Sequence, residues 1–266
     1  MFFLKPFINL WTHRSLIKQF TARDISLRYK GSLLGIIWSF VTPLLMLIIY
    51  TYVYSEIFKA KWNVTSSSKL DFALIIFCGI ATYNFFGETL SRAPQIIIHH
   101  SNYVKKVVFP LEILPITILL ASFINFLISF LILFIGLLMF AQFHIGSFLV
   151  VVVLVPYFLL IAGLSWFLSA LGVYLRDIGQ LIGVIIQALM LLSPIFYPKS
   201  VIPPTYQYIY TLNPISFVIE EMRNITIFGF SPQWGILACQ TAFALAIFVF
   251  GYLFFERSRK GFADVL

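Results

Sequence analysis

A chain of 266 residues that is 61% apolar, 18% aromatic and only 11% charged, with a mean hydropathy of +0.97, cannot hide its apolar side chains in one soluble core. Soluble domains run nearer half apolar and a quarter charged, so composition excludes a soluble enzyme or binding module and leaves a polytopic membrane protein. The net charge of +8 would suggest nucleic acid in a soluble chain, but here basic residues flank apolar runs, where they set topology, and no nucleic-acid partner is expected.

In chain order, Phe7, Leu10, Trp11, Ile17, Phe20 and Leu27 recur at roughly helical spacing, with Arg14, Lys18, Arg23 and Arg28 between them. Such a helix lies in the interface plane with its basic side toward lipid headgroups or a partner, and a simple topology anchor fits the same pattern. Residues 1–32 carry six Lys/Arg and lack a small-residue cleavage site, so no cleavable signal is expected.

A bilayer crossing takes about 20 apolar residues. Six runs qualify, at 33–54, 70–90, 111–141, 148–174, 178–196 and 236–255, which predicts an all-α protein with six transmembrane helices. The third run is too long for one upright crossing and must tilt or protrude. The fifth is marginal at its Ser193-Pro194 end.

Six crossings put both termini on one side, together with thirteen of the eighteen basic residues, and the excess places that side in the cytoplasm. Lys59, Lys61 and Lys69, in the first outer loop, run against the pattern without reversing it. Cys78 and Cys239 fall inside apolar runs and read as small core residues rather than a disulfide framework.

The chain carries no G-x-x-x-x-G-K-[ST] loop to cradle phosphates, so ATP hydrolysis by this chain alone is not expected. His13, His99, His100 and His144 do not combine with Cys, Asp or Glu at metal-ligand spacing, and no metal site is predicted. Acidic residues stand near span ends (Glu56, Asp71, Glu88, Glu112, Asp177, Glu256), not mid-membrane where a proton relay would need them. Glu88 and Arg92, four apart, can pair on a helix, Asp177 is placed to cap the fifth span, and Glu112 stands in the first turn of the third. Neither an ion-coupled transporter nor a membrane-embedded enzyme is supported, which leaves a passive pore or a machine driven from outside.

Two cytoplasmic segments look built for contact. In "RAPQIIIHHSNYVKKVVFP", from Arg92 to Pro110, Pro94 suits a first helical turn, and Ile96, Ile97 and Ile98 are too apolar to leave in water. A partner protein or the membrane interface is expected to cover them. The link "YLRDIGQL" is too short for a domain, and its Arg176-Asp177 pair marks a sharp turn. Gly31 with Gly35, and Gly179 with Gly183, have the spacing that lets helix backbones approach.

Taken together, "ARDISLRYKGSLLGIIWSFVTPLLMLIIYTYVYSEIF", "SNYVKKVVFPLEILP", "YLRDIGQ", "LLSPIFYP" and "LNPISFVIEEMRN" resemble the ABC-2 permease family over nearly the whole chain. Within it they are most similar to the polysaccharide exporters of O-antigen, capsule and teichoic acid, the O-antigen branch above all. The resemblance implies a homodimeric permease that binds two copies of a separate ABC ATPase, the partner supplying ATP and Mg, while this chain binds no cofactor. It implies a lipid-linked polysaccharide as substrate and the bacterial inner membrane as location. Residues 1–32 would form the cytoplasmic interface helix and the entry to the first span, 33–255 the transmembrane domain and 256–266 a cytoplasmic tail. The ATPase-facing surface would comprise Arg14 and Arg23 with Arg92, Pro94, Ile97, His99, His100, Lys105 and Lys106, the loop acting as coupling helix. Glu88, Arg176, Asp177, Pro194, Pro198 and Pro214 would serve structure and gating.

After the fifth span, Pro194, Pro198, Pro203 and Pro204 break helical hydrogen bonding where the chain would reach the outer headgroups. By resemblance, "TYQYIYTLNPISFVIEEM" re-enters the outer leaflet as short gate helices. Irregular backbone at that depth needs protein or water around it, and an ordinary outer loop fits the residues as well. Trp38, Tyr50 and Tyr54, with Phe196, Tyr197 and Tyr206, are candidates to line a glycan path, since such rings join an apolar face to a polar handle. An interfacial aromatic belt is the competing reading of the same residues. Another ABC-2 exporter of lipids or drugs, a membrane glycosyl- or acyltransferase, and a passive channel are the alternatives.

Overall fold

The computed structural model describes residues 5–53, 69–106, 109–139 and 143–266. Tyr54, Glu56, Lys59 and Lys61 lie outside them, as do the side chains of Lys69, Asp71 and Lys106. All regular structure among these residues is helical: α1 (Lys5–Thr12), α2 (Arg14–Tyr29), α3 (Trp38–Thr51), α4 (Lys69–Arg92), α5 (Ile96–His99), α6 (Ser101–Lys106), α7 (Ile113–Met139), α8 (Val150–Tyr174), α9 (Ile178–Leu191), α10 (Gln207–Leu212), α11 (Pro214–Thr226), α12 (Trp234–Ser258) and α13 (Phe262–Val265).

Among the described residues, four stretches are long and apolar enough to cross a membrane, at Phe72–His99, Ile113–Met139, Ile145–Tyr174 and Trp234–Val265. The expected fifth span appears instead as the shorter apolar helix Ile178–Leu191, and the expected first span is represented by the apolar helix Gly35–Thr51, which runs to the edge of the described residues. α9 stops at Leu191 because Pro194 has no N–H to continue the ladder and disfavours helical backbone in the residue before it.

α4 is the central helix. From Phe72 to Gly87 every residue is buried except Asn84, as expected of a helix that is apolar all round. It packs against α3, α7, α8, α9 and α11. α8 runs along α12 in the most extensive contact of the fold. Their crossing depends on Gly163 and Gly251, since a Cβ on either would strike the backbone of the other helix. Beside it the fully buried Trp166 donates its indole N–H to the Glu112 carbonyl (2.8 Å) and packs on Phe248 and Tyr252, ring centroids 5.1 Å away in each case.

Two expectations need correction here. Gly31 and Gly35 bring no helix of this chain close: they sit at φ 87° and 53° in the break before α3, with nothing among the described residues near enough to meet a Cβ. Gly183 likewise faces open space, so the close approaches belong to Gly163, Gly251 and Gly172. The amphipathic N-terminal stretch is two helices rather than one, divided at His13, and both dock on the bundle. Phe7 of α1 stacks on Phe248 (5.1 Å, 29°), Asn9 donates to the Tyr252 hydroxyl (2.9 Å), and α2 lies along α7.

Candidate functional site

Predicted functional residues gather at the two ends of the bundle. At the α2 end, Arg92 does not stand free on a partner-facing surface. Its guanidinium donates to both oxygens of Asp24 on α2, at 3.0 and 2.5 Å. Arg28, one turn beyond Asp24, pairs with Glu88, and Glu88 also accepts from Asn125 of α7 (3.3 Å). The expected Glu88–Arg92 pair exists but is long, 3.9 Å. Four charges on α2 and α4 therefore neutralise one another in a half-buried clamp.

Ile96 and Ile97 of the following loop are covered by the chain itself, which overturns for them the expectation that a partner or the membrane must cover the triplet, while Ile98 stays half-exposed. Pro94 and Ile97 are buried and cannot face a partner. α5 and the turn Ala93–Gln95 pack on α8, where Gly172 is bare enough to let the Pro94 carbonyl approach. His99, by contrast, is exposed. His100 is held by its Nδ1 against the Ile96 carbonyl (2.9 Å) and stacks on Tyr103. Lys105 is exposed and donates to the carbonyl of Leu266, tying α6 to the chain's last residues. Arg14 and Arg23 are exposed, Arg14 lying over the Trp11 ring at 5.2 Å. Arg176 and Asp177 are exposed in the α8–α9 turn, and Asp177 stands at the cap position of α9 without a side-chain cap bond. Glu112 precedes α7 rather than opening its first turn, and its carboxylate takes Arg259 at 2.8 Å.

At the other end, the segment between α9 and α12 folds back on the bundle. Short 3-10 turns at Lys199–Val201 and Pro204–Tyr206 lead into α10 and then α11, whose buried face packs on α4 and α8. Pro214 opens α11 in the position where its missing N–H costs nothing, and Asn213 caps it by accepting from Ile215 N (3.1 Å). The Asn213 amide also donates to Ser193 Oγ (2.9 Å), pinning the segment to the end of α9. Tyr197 donates to the Leu191 carbonyl (2.5 Å) and meets the Tyr210 hydroxyl, so its polar end closes the helix break. Pro198 is half-buried and Tyr206 exposed. Tyr50 and Phe196 lie 6.2 Å apart, while Trp38, 39% exposed, faces a cleft beside α4 and α7.

Arg223 is the residue that reading the sequence missed. One of the five basic residues outside the thirteen expected on the cytoplasmic side, it is 2% exposed and sits among α4, α11 and the α9 break. It donates to the carbonyls of Ile75 (2.8 Å), Ile195 (2.5 Å) and Pro194. Those acceptors include the backbone freed by the prolines, and no water is needed to satisfy them. Gly79 makes the room, since a Cβ there would collide with the guanidinium. The available signal was a lone basic residue on a strongly amphipathic segment just after a proline break. Nearby, buried Glu221 accepts from Gln233 N (3.1 Å) and so fixes the approach to α12.

Comparison with known proteins adds a family and relatives. The model of the ABC-2 type transporter matches residues 15–227. A Klebsiella pneumoniae protein described as an O-antigen export system permease protein is 23% identical over 266 residues, covering 99% of each chain. A second Klebsiella pneumoniae protein of that description is 22% identical, again over 99% of each. A Myxococcus xanthus protein so described is 24% identical over 261 residues, covering 96% of this chain and 97% of its own.

Proposed function

The chain belongs to the ABC-2 type transporter family, and from that premise we propose that it is the permease subunit of an ATP-driven exporter carrying a lipid-linked polysaccharide, O-antigen in the first instance, across the bacterial inner membrane. The observation that carries this reading is near-complete coverage of three relatives described as O-antigen export permeases. Capsule and teichoic acid are alternative cargoes for the same machine. In this reading the short helices α3 and α9 complete six crossings, both termini face the cytoplasm, and two permeases enclose the path. Two copies of an ABC ATPase supply ATP and Mg, which this chain has no loop to hold.

Exposed Arg14, Arg23, His99 and Lys105, with Lys106, form the ATPase-facing surface in this proposal. Arg92, Glu88, Pro94 and Ile97 act behind that surface, as the rigid connection to α2 and α8. The folded-back segment from Pro194 to Thr226 is the outer gate, and Arg223 fixes its root to α4. Trp38, Tyr50 and Phe196 are the aromatic contacts of the path.

The test is copurification of the full chain with a Walker-motif ATPase encoded beside it, followed by transfer of labelled lipid-linked glycan in proteoliposomes. Transfer that requires both ATP and the ATPase is expected. Transfer or ion conductance by this chain alone would overturn the reading.

A further inference from the structure

Between α3, α4 and α7 lies an open cleft of about 190 Å³ whose walls carry a cluster of polar side chains among apolar ones. Asn84 and Glu88 stand four apart on one face of α4; Ser122, Asn125 and Ser129 recur at three and four residues on one face of α7. Trp38 forms part of the wall from α3. Asn84 is the one exposed residue along an otherwise buried stretch of α4, and the Ser122 hydroxyl is 1% exposed with no partner among the described residues. Polar groups gathered at membrane depth are costly unless something polar occupies the space between them.

We infer that this cleft binds one neutral, hydroxylated sugar ring of the carried glycan, an inference that rests on the export reading above. The chemistry selects that ligand over a phosphate. Glu88 is the one charged group among the described lining residues, and a carboxylate repels phosphate. The nearby guanidinium groups of Arg28 and Arg92 are already engaged by Glu88 and Asp24. Asn84 and Ser122 can both donate and accept, as each sugar hydroxyl does, while Ser39 and Ser129, whose protons go to backbone carbonyls, can still accept, next to an indole able to cover the ring's C–H face. Glu88 ties the cleft to the α2–α4 clamp, so occupancy and the position of α2 share a residue.

The experiment places the photo-crosslinker benzoylphenylalanine at position 42, where Thr42 lines the cleft, in the full chain expressed with its ATPase in cells fed radiolabelled hexose. Irradiation is expected to leave hexose label, removable by periodate, on this chain. Asn84→Leu and Asn125→Leu should reduce that adduct to background and lower surface polysaccharide, while the chain still copurifies with its ATPase. Adducts carrying only phospholipid phosphorus, or no adduct at all, overturn the inference. A parallel strain lacking the chain tests the export reading separately. Surface polysaccharide that persists there defeats that reading, whereas hexose adduct at position 42 would still sustain the cleft.

Discussion

Where α9 ends, the buried Pro194 and Ile195 carbonyls have no helical partner, and Arg223 reaches both from α11 while holding Ile75 of α4. Its planar fork suits this task because it presents five donors in fixed directions, which the single ammonium of lysine cannot imitate. Arg223→Leu leaves the Pro194 and Ile195 carbonyls without their donor, while Ile75 keeps its bond within α4, and at about 1–3 kcal/mol each the loss is large for one side chain. A marked fall in the thermal unfolding midpoint of the purified protein is expected. Arg223→Lys should recover part of the loss. Gly79→Ala approaches the same arginine from the other side: the added methyl displaces the guanidinium, and overpacking of this kind costs about 1–3 kcal/mol. Unfolding midpoints unchanged in Arg223→Leu would mean that the α9 break is held by other contacts.

At the scale of elements, the clamp between α2 and α4 fixes how the N-terminal helix sits. Asp24 and Arg92 are 22% and 33% exposed at the side chain, so their coupling is of surface magnitude, about 1 kcal/mol by double-mutant cycle. Asp24→Arg and Arg92→Asp should each speed hydrogen exchange of the α2 amides, and the two together should restore the slow rate. Failure of the swap to restore it would place the restraint in the apolar face of α2. Spacing along one helix made the Glu88–Arg92 pair legible, but not the shorter contacts to Asp24 and Arg28, whose partners lie 60 or more positions away. The same limit separates the helices, visible from apolar runs, from what covers them. Ile96 and Ile97 plainly needed a cover, yet nothing local to the triplet says that α8 provides it. The polar faces of α4 and α7 were readable as periodic patterns, and only the fold turns those faces toward one cleft. The proline cluster correctly marked the end of α9, while the arginine that compensates for it lies 29 residues after Pro194.

Across the whole molecule, the loop after α4, the chain's last turn and the α8–α12 pair are bound into one body. Lys105 reaches the Leu266 carbonyl, Tyr174 donates to the Ser258 carbonyl (2.7 Å), and buried Phe262 packs on Tyr174 and Phe255. In the proposed exporter, a push received by α6 would reach α8 through the Leu266 tie and through the packing of α5 and the Ala93–Gln95 turn on α8, where Pro94 seats against Gly172. This separates attachment from transmission in a way that mutations can read. Lys105→Glu with Lys106→Glu alters the exposed charge and should weaken copurification of the ATPase. Gly172→Ala leaves that surface alone but forces the Pro94 backbone away from α8. The ATPase should then still copurify and hydrolyse ATP, while glycan transfer in proteoliposomes falls several-fold. Bonds and packing of this kind carry the load here because lipid offers little hydrophobic drive between helices, so a lost close approach is not made good by simple burial. Unimpaired transfer by Gly172→Ala, in complexes of normal composition, would show that the stroke enters through α4 and the clamp to α2 instead.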